Sequence, residues 1–338
     1  MLDFLLNPLV LLTNFILVPG LAYGSQLALG ALGVTMVYAV LNFSNFSHGE
    51  MMSFGAMTTI LATYWLKMAG ISIHPFPTAI LALPFGILAA VGLCLFIDRM
   101  VFRFHRLKRA NSVTFLIVSI GVMFILGGII RFIIGPDDRN FSDGERFILK
   151  ARAFKEATGL SEGLTIKSSQ AISIVSVIVL VALVFWFLKH TRTGKSMRAY
   201  SDNEDLALLS GINPDRVVMI TWIITATLAA VAGTLYGLDK SYKPLVFLHL
   251  VLPIFASAIV GGVGNPLGAI VGGFVIAFSE LILTFSYKKV AAYLFGNGTF
   301  GDGLLQILST DYKFAVSFFI LVIVLLIKPT GIFGGKSL

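Results

Sequence analysis

Residues 244–279 run for 36 positions without an Asp, Glu, Lys or Arg, and His249 is their one titratable side chain. A helix needs about 20 apolar residues to cross a bilayer. The run is long enough for two crossings, and "GGVGNP" at 261–266 supplies the break between them. Uncharged runs at 111–130, 168–188 and 217–238 each fit one span. The run 68–97 is longer and holds Pro75, Pro77 and Pro84, so its helix is expected to start near Phe76. Residues 20–42 and 51–66 form a pair around a polar seam. A last span, 314–327, extends back through Tyr312 and ends before Pro329, which cannot continue a helix. The pattern predicts an all-α, polytopic transmembrane helical bundle, one domain over 1–338, with nine spans. A tenth follows if residues 4–18 also cross.

Composition agrees with a chain embedded in the lipid bilayer. Hydrophobic residues make up 57% of it and charged residues 12%, against about a quarter in soluble domains. The net charge of +8 does not call for nucleic acid, because basic residues beside membrane spans give the same excess. The loop 98–110 has five basic residues and one acidic residue, which places it in the cytoplasm. The loop 135–167 has six of each and is expected outside. The loop 189–216 and the C-terminus then fall in the cytoplasm by alternation. Asp3 and the absence of Lys or Arg near the N-terminus argue against a cleaved leader. Cys94, the single cysteine, lies in an apolar run and reads as a packed thiol. The 135–167 loop is too small for a catalytic domain. Gly144, Gly159 and Gly163 suggest turns around a short helix near 148–157.

No catalytic residue stands out. "TGKS" at 193–196 lacks the glycine that opens a phosphate-binding loop, since Lys189 stands there. The histidines at 48, 74, 105, 190 and 249 have no zinc-ligand spacing, so no metal is expected. The informative polar residues lie in "LNFSNFSHGEMM", 41–52. Asn42, Asn45, His48 and Glu50 interrupt a stretch otherwise free of charge. Asn265, in the second break, and Glu280 do the same further on. Paired breaks in hydrophobic segments mark a transporter's central path. Charges beside apolar spans need interior partners, and for Glu50 the candidates are His48 and the amides near Gly49. The plainer reading is a cytoplasmic turn in which Asn45 or Ser47 is an ordinary cap. Gly264, Gly268 and Gly272 recur every four residues, which suits close helix packing or a path wall.

The segment 201–217 predicts a short cytoplasmic helix. Ser201 and Glu204 have capping-box spacing. Asp205, Leu206, Ala207 and Leu209 follow, and Gly211 is placed to end the helix. Asn213 and Pro214 then start the next one. Its apolar side would lie on the membrane surface or dock into a partner.

"GVTMVYAVLNFSNFSHGEMMSFGA" at 33–56 resembles the signature region of bacterial branched-chain amino acid ABC permeases, in particular the H-type subunit. "TRTGKSMRAYSDNEDLALLSGINPDRV", "AIVGGVGNPLGAIVGG" and the terminal "KPTGIFG" are similar to further segments of that family, in the same order. The resemblance runs from about residue 20 to the end. It implies a permease subunit of an ATP-driven inner-membrane importer of Leu, Ile or Val, and not an enzyme. The implied partners are an M-type permease subunit, two cytoplasmic ATPase subunits that bind the ATP, and a periplasmic substrate-binding protein. No cofactor is implied on this chain. The helix 201–211 would be the coupling helix. Phe43 and Phe46 would form an apolar wall in a path that binds weakly. Urea or short amides are the alternative substrates, and an ion-coupled secondary transporter using Glu50 and Glu280 is the competing class.

The charge asymmetry sets a topology test. Single cysteines replacing Arg106 and Asp143 should be labelled from opposite faces of the membrane. Labelling of both by one impermeant external reagent would defeat the assignment.

Overall fold

The computed structural model describes residues 2–141, 143–295 and 305–334. Along the chain the helices are α1 (Leu2–Leu12), α2 (Val18–Leu41), α3 (His48–Met68), α4 (Ala79–Ile97), α5 (Arg103–Leu107), α6 (Ser112–Ile134), α7 (Ala151–Thr158) and α8 (Ser168–His190). Next come α9 (Arg192–Asp202), α10 (Glu204–Leu209), α11 (Pro214–Lys240), α12 (Pro244–Gly261), α13 (Pro266–Thr284), α14 (Lys288–Phe295) and α15 (Lys313–Ile327). Among the described residues eight helical segments are long and apolar enough to cross a membrane. These are 5–41, 79–107, 112–134, 168–190, 214–240, 244–261, 266–284 and 310–327. The long helix α3 is not among them, although most of it is buried.

Residues 4–18 do not turn back as a separate span. A π-helical turn over Thr13–Leu17 joins α1 to α2 in one continuous run. Asn7 and Asn14 in that run accept hydrogen bonds from the amides of Glu162 and Thr165 (both 3.1 Å), so the N-terminal extension lies against the 135–167 loop. In that loop β1 (Phe147–Leu149) pairs antiparallel with β2 (Ile166–Lys167), which takes 148 and 149 out of the expected helix, and α7 starts at Ala151. Likewise α4 starts at Ala79, not near Phe76.

The core is built on α2, which is apolar on all sides and buried along most of its length. Around it pack α13, α11, α8 and α12; α3 lies on α11 and α4, α6 lies on α3, and α15 lies on α12 and α13. The bundle has two distinct ends. One holds α5, α9 and α10. The other holds the 135–167 loop, whose Asp138 pairs with Lys243 at 2.5 Å and whose Arg139 exchanges backbone hydrogen bonds with Tyr242 (2.9 and 2.7 Å).

The 244–279 run does split in two. α12 ends at Gly261, and Gly262 and Gly264 take φ of +116° and +88°, a region that disfavours side chains. Gly264 therefore sits in the turn and not on a helix face with Gly268 and Gly272. Those two face α12 directly. A Cβ on Gly268 would lie 2.3 Å from the Gly261 carbonyl oxygen, and one on Gly272 would lie 2.0 Å from that of Ser257. The C-terminal segment closes the turn, because Ile332 and Phe333 donate their amides to Val260 and Gly261 (2.8 and 3.1 Å).

Gly272→Ala should force α12 and α13 apart and cost about 1–3 kcal/mol. Gly92→Ala, where a Cβ meets nothing within 4 Å, should have no such effect. Thermal unfolding of the purified variants checks this, and equal melting points would refute the close-packing role.

Candidate functional site

The seam begins where α2 ends. Asn42 adopts a left-handed conformation (φ 55°) and its amide bonds the Tyr38 carbonyl at 2.9 Å. Phe43 then turns inward and stacks between Phe102 and Phe115, with centroids 5.3 and 4.9 Å away. Phe46 stacks on Phe255 of α12 at 4.8 Å, and its amide donates to Ser119 Oγ of α6 at 3.2 Å. Asn45 is buried, and its Oδ1 accepts from the Ser47 amide (3.2 Å) and hydroxyl (2.6 Å).

The following helix therefore opens inside the bundle. The His48 ring lies on Gly33, where a Cβ would come within 2.7 Å of it. Gly33 is eight residues before the end of α2, or about 12 Å along the helix. Neither ring nitrogen of His48 makes a hydrogen bond, although the Gly30 carbonyl faces the ring. On the next position, Gly49 meets the Phe247 carbonyl of α12, which a Cβ would approach to 2.6 Å.

Glu50 is buried at 5% exposure in the first turn of α3, where the exposed helix amides favour a negative charge. Its charged neighbour is Arg131 of α6. The two meet over Gly127, at which a Cβ would lie 3.2 Å from Glu50 Oε1 and 3.1 Å from Arg131 Nη2. Arg131 is held there by a 2.7 Å bond from Nε to the Gly127 carbonyl. His48 and the Gly49 amide do not bond the Glu50 carboxyl. The sequence signal for Arg131 was present: it is the one charge in α6.

Glu280 occupies a different place. It is 2% exposed, and Ser317 of α15 donates its hydroxyl to Oε1. Lys240 and Lys313 supply the nearby positive charge. Lys240 Nζ lies 4.2 Å from the centroid of Tyr23 and 5.2 Å from that of Tyr236. Among the described residues no hydrogen bond or ion pair joins Glu50 to Glu280. Asn265 caps α13, accepting from the Gly268 amide at 3.2 Å.

The third group lies at the α10 end. The expected capping box does not form. Ser201 lies in the last turn of α9, a helix not expected from the sequence, and its hydroxyl donates to the Ala39 carbonyl of α2 at 2.7 Å. Asn203 is the cap of α10, with extended backbone and Oδ1 accepting from the Leu206 amide at 3.0 Å. Glu204 instead accepts the Tyr200 hydroxyl at 2.5 Å. Burial, and then this bond to Glu204, push the Tyr200 hydroxyl's pKa above its ordinary value. At the far end Gly211 takes φ +78°, and the Ile212 amide bonds the Ala207 carbonyl at 3.0 Å, which completes a helix stop. Asp205 is exposed, Ala207 is buried, and Leu206 and Leu209 are 62% and 87% exposed.

An ionic network ties this end to the spans. Arg106 bonds Asp98 at 3.0 Å and Asp215 at 3.5 Å, and Arg103 bonds Asp215 at 3.0 Å. The indole of Trp222, in α11, donates to Asp98 at 2.9 Å. A cavity of ≈ 410 Å³ between these elements is lined by Asn42, Arg106, Tyr200 and Glu204. Among the described residues no cluster of His, Cys, Asp or Glu could hold a metal ion.

Comparison with known proteins gives a consistent result. Residues 16–325 match the family model described as branched-chain amino acid transport system / permease component. The high-affinity branched-chain amino acid transport system permease protein LivH of Salmonella typhimurium is 30% identical over 325 residues, covering 93% of each chain. BraD of Pseudomonas aeruginosa, of the same description, is 30% identical over 94% of each chain. A probable branched-chain amino acid transport permease protein LivH from Methanocaldococcus jannaschii is 29% identical, covering 95% of this chain and 92% of its own.

The Glu50–Arg131 pairing can be tested by a double-mutant cycle. Arg131→Leu should destabilise the protein by roughly 1–3 kcal/mol by leaving a buried acid without its counter-charge. Adding Glu50→Gln should recover part of that loss. Strictly additive unfolding energies would separate the two residues.

Proposed function

The chain belongs to the family of branched-chain amino acid transport permeases, and we propose how its parts serve import. It is a multi-pass membrane protein and a permease subunit of an ATP-driven branched-chain amino acid importer, a transport component and not an enzyme. Importers of this kind work with ATPases and a binding protein. In our reading this chain sits in the inner membrane with an M-type permease partner. Two cytoplasmic ATPases bind the ATP, and the binding protein docks on the side of the 135–167 loop. The C-terminus is cytoplasmic.

The observation that carries this division of labour is α10. Six residues are capped at both ends and present Leu206 and Leu209 to solvent. A helix this short does not persist without tertiary support. Its supports are the Tyr200–Glu204 bond and the buried Ala207, which seat it on α9, and α9 is in turn tied to α2 by the Ser201–Ala39 bond. A self-sufficient ion-coupled transporter has no use for such a presented apolar face. The relatives' descriptions favour Leu, Ile or Val over urea or short amides.

ATPase motion would act on Leu206 and Leu209 and pass through Tyr200 and Ser201 to the end of α2. There Asn42 faces the cavity shared with α10. Beyond it Asn45, His48 and Glu50 would line or gate the path, with Phe43 and Phe46 as its apolar side. Glu280 would serve the path from the other half of the bundle. ATP can drive this cycle only through contacts that differ between the outward- and inward-open states.

Leu206→Asp tests the reading. An interface anchor contributes more than about 1 kcal/mol when it is a hot spot, roughly tenfold in affinity. The charge adds a desolvation cost. The variant should insert normally but lose the ATPases on co-purification, or hydrolyse ATP without leucine uptake. Full ATPase retention with normal uptake in vesicles would rule out the role given to α10.

A further inference from the structure

The end of the bundle away from α10 contains two adjoining cavities of opposite character. The first, ≈ 590 Å³, is lined by Asp143, Glu145, Arg146, Asp239 and Lys240. The second, ≈ 630 Å³, lies between α4 and α8 and is lined by Phe76, Ile80, Leu83, Ile172 and Leu235. Glu145, Ser168 and Leu238 belong to both linings, so the two share one wall. Each volume falls in the range of about 300–1,000 Å³ typical of small-molecule sites.

The polar cavity carries both signs of charge on short reach. Asp239 is held by Ser169 (3.1 Å) and Lys167 (3.9 Å). Lys240 has no carboxylate in ion-pair contact among the described residues and rests on the Tyr23 and Tyr236 rings. Asp143 uses Oδ2 to accept the Thr78 amide at 3.0 Å. Its Oδ1 is buried and has no hydrogen-bond partner among the described residues. A buried carboxylate oxygen left in that state is costly unless a donor arrives.

A simple anion entering this cavity would meet three carboxylates, and a simple cation would meet Arg146 and Lys240. A zwitterion meets complementary groups at both ends. We propose that these paired cavities form an outer substrate site for an aliphatic amino acid, distinct from the 42–50 seam. The α-carboxylate lies on Arg146 and Lys240, the ammonium faces the carboxylates of Asp143, Glu145 and Asp239, and the branched side chain reaches past Glu145, Ser168 and Leu238, which line both cavities, toward the apolar one. The assignment rests on the import reading above and adds to it a place on the permease where the released amino acid is first held. Lys240 then stands between this site and the buried Glu280, whose positive neighbours it shares with Lys313. The lining accounts for a preference in physical terms: a polar side chain entering between α4 and α8 would lose its water against a mostly apolar surface.

The test uses the assembled transporter in proteoliposomes, loaded through its binding protein with a diazirine analogue of leucine. Illumination during turnover should place adducts on the peptides carrying Ile80, Leu83 and Ile172, and excess leucine should suppress them. Arg146→Gln and Asp143→Asn should reduce the adducts about tenfold, as expected for loss of one charge-assisted hydrogen bond. Asp143→Asn keeps an acceptor for the Thr78 amide, and Arg146 is exposed, so both variants should assemble. Docking of the loaded binding protein, measured by co-sedimentation, should not change. Adducts that leucine does not suppress, accompanied by tightly co-purifying phosphatidylethanolamine, would overturn the proposal and identify a lipid groove. Adducts that fall only in step with weakened docking would overturn it in favour of a docking surface. Wild-type leucine import without adducts on α4 or α8 would overturn it and leave the import reading standing. Failure of the wild type to import leucine would remove both.

Discussion

The start of α3 beside Gly33 is the constraint on which much of the interior depends. A helix leaves its first amides without intrahelical partners, and here those amides lie among other helices and away from the bundle ends. The His48 amide is answered locally, and so are the two amides that lead into it. Asn45 takes the Ser47 amide and hydroxyl, the His48 amide reaches the Asn45 carbonyl at 3.2 Å, and Ser119 takes the Phe46 amide. Irregular backbone in a membrane protein is stable only where such partners or a wet cavity exist. The small residues follow from the same constraint. Gly33 makes room for the His48 ring, and Gly49 makes room for the α12 backbone. A side chain at either position would expel α3 from the place it needs.

Charge inside the bundle obeys a parallel rule. Glu50 faces Arg131, Glu280 shares Lys240 and Lys313, and Asp98 holds both Arg106 and the Trp222 indole. Each acid on one helix is matched by a base or donor on another, so each pair also fixes the relation between two helices. Burying such pairs is a weak source of stability. They lie at the seam, at the far end of α11 and beside α10, and each ties one segment of the chain to another.

Much of this architecture was legible in the sequence because a bilayer punishes charge so strongly. The long runs gave α6, α8, α11, α12, α13 and α15 nearly to the residue, and Asn213 with Pro214 gave the start of α11. What escaped was the part decided by contact. Ser201 has the spacing of a cap, but the Ala39 carbonyl offers its hydroxyl a tertiary partner and Asn203 takes over the cap. Gly264 continues the spacing of Gly268 and Gly272, yet the turn needs its positive φ more than the helix needs its small size. Arg131 lies just past the uncharged run 111–130. Only the packing of α3 against α6 turns it into the neighbour of Glu50.

The same packing gives a mechanical reason for the position of the seam. α9 touches the end of α2 through Ser201 and Ala39, and the non-helical stretch 42–47 begins three residues after Ala39. Irregular backbone has no continuous hydrogen-bond ladder to break, so it can change length and direction where a helix would have to unwind. A displacement at α10 would therefore be absorbed first between Phe43 and Ser47. Phe46 carries it to Phe255 of α12 and Ser119 of α6, and His48 carries it back to Gly33 of α2. Polar residues sit in this stretch because they satisfy the backbone of a segment that must not be helical; in the import reading proposed above they would also offer weak, exchangeable partners to a passing substrate.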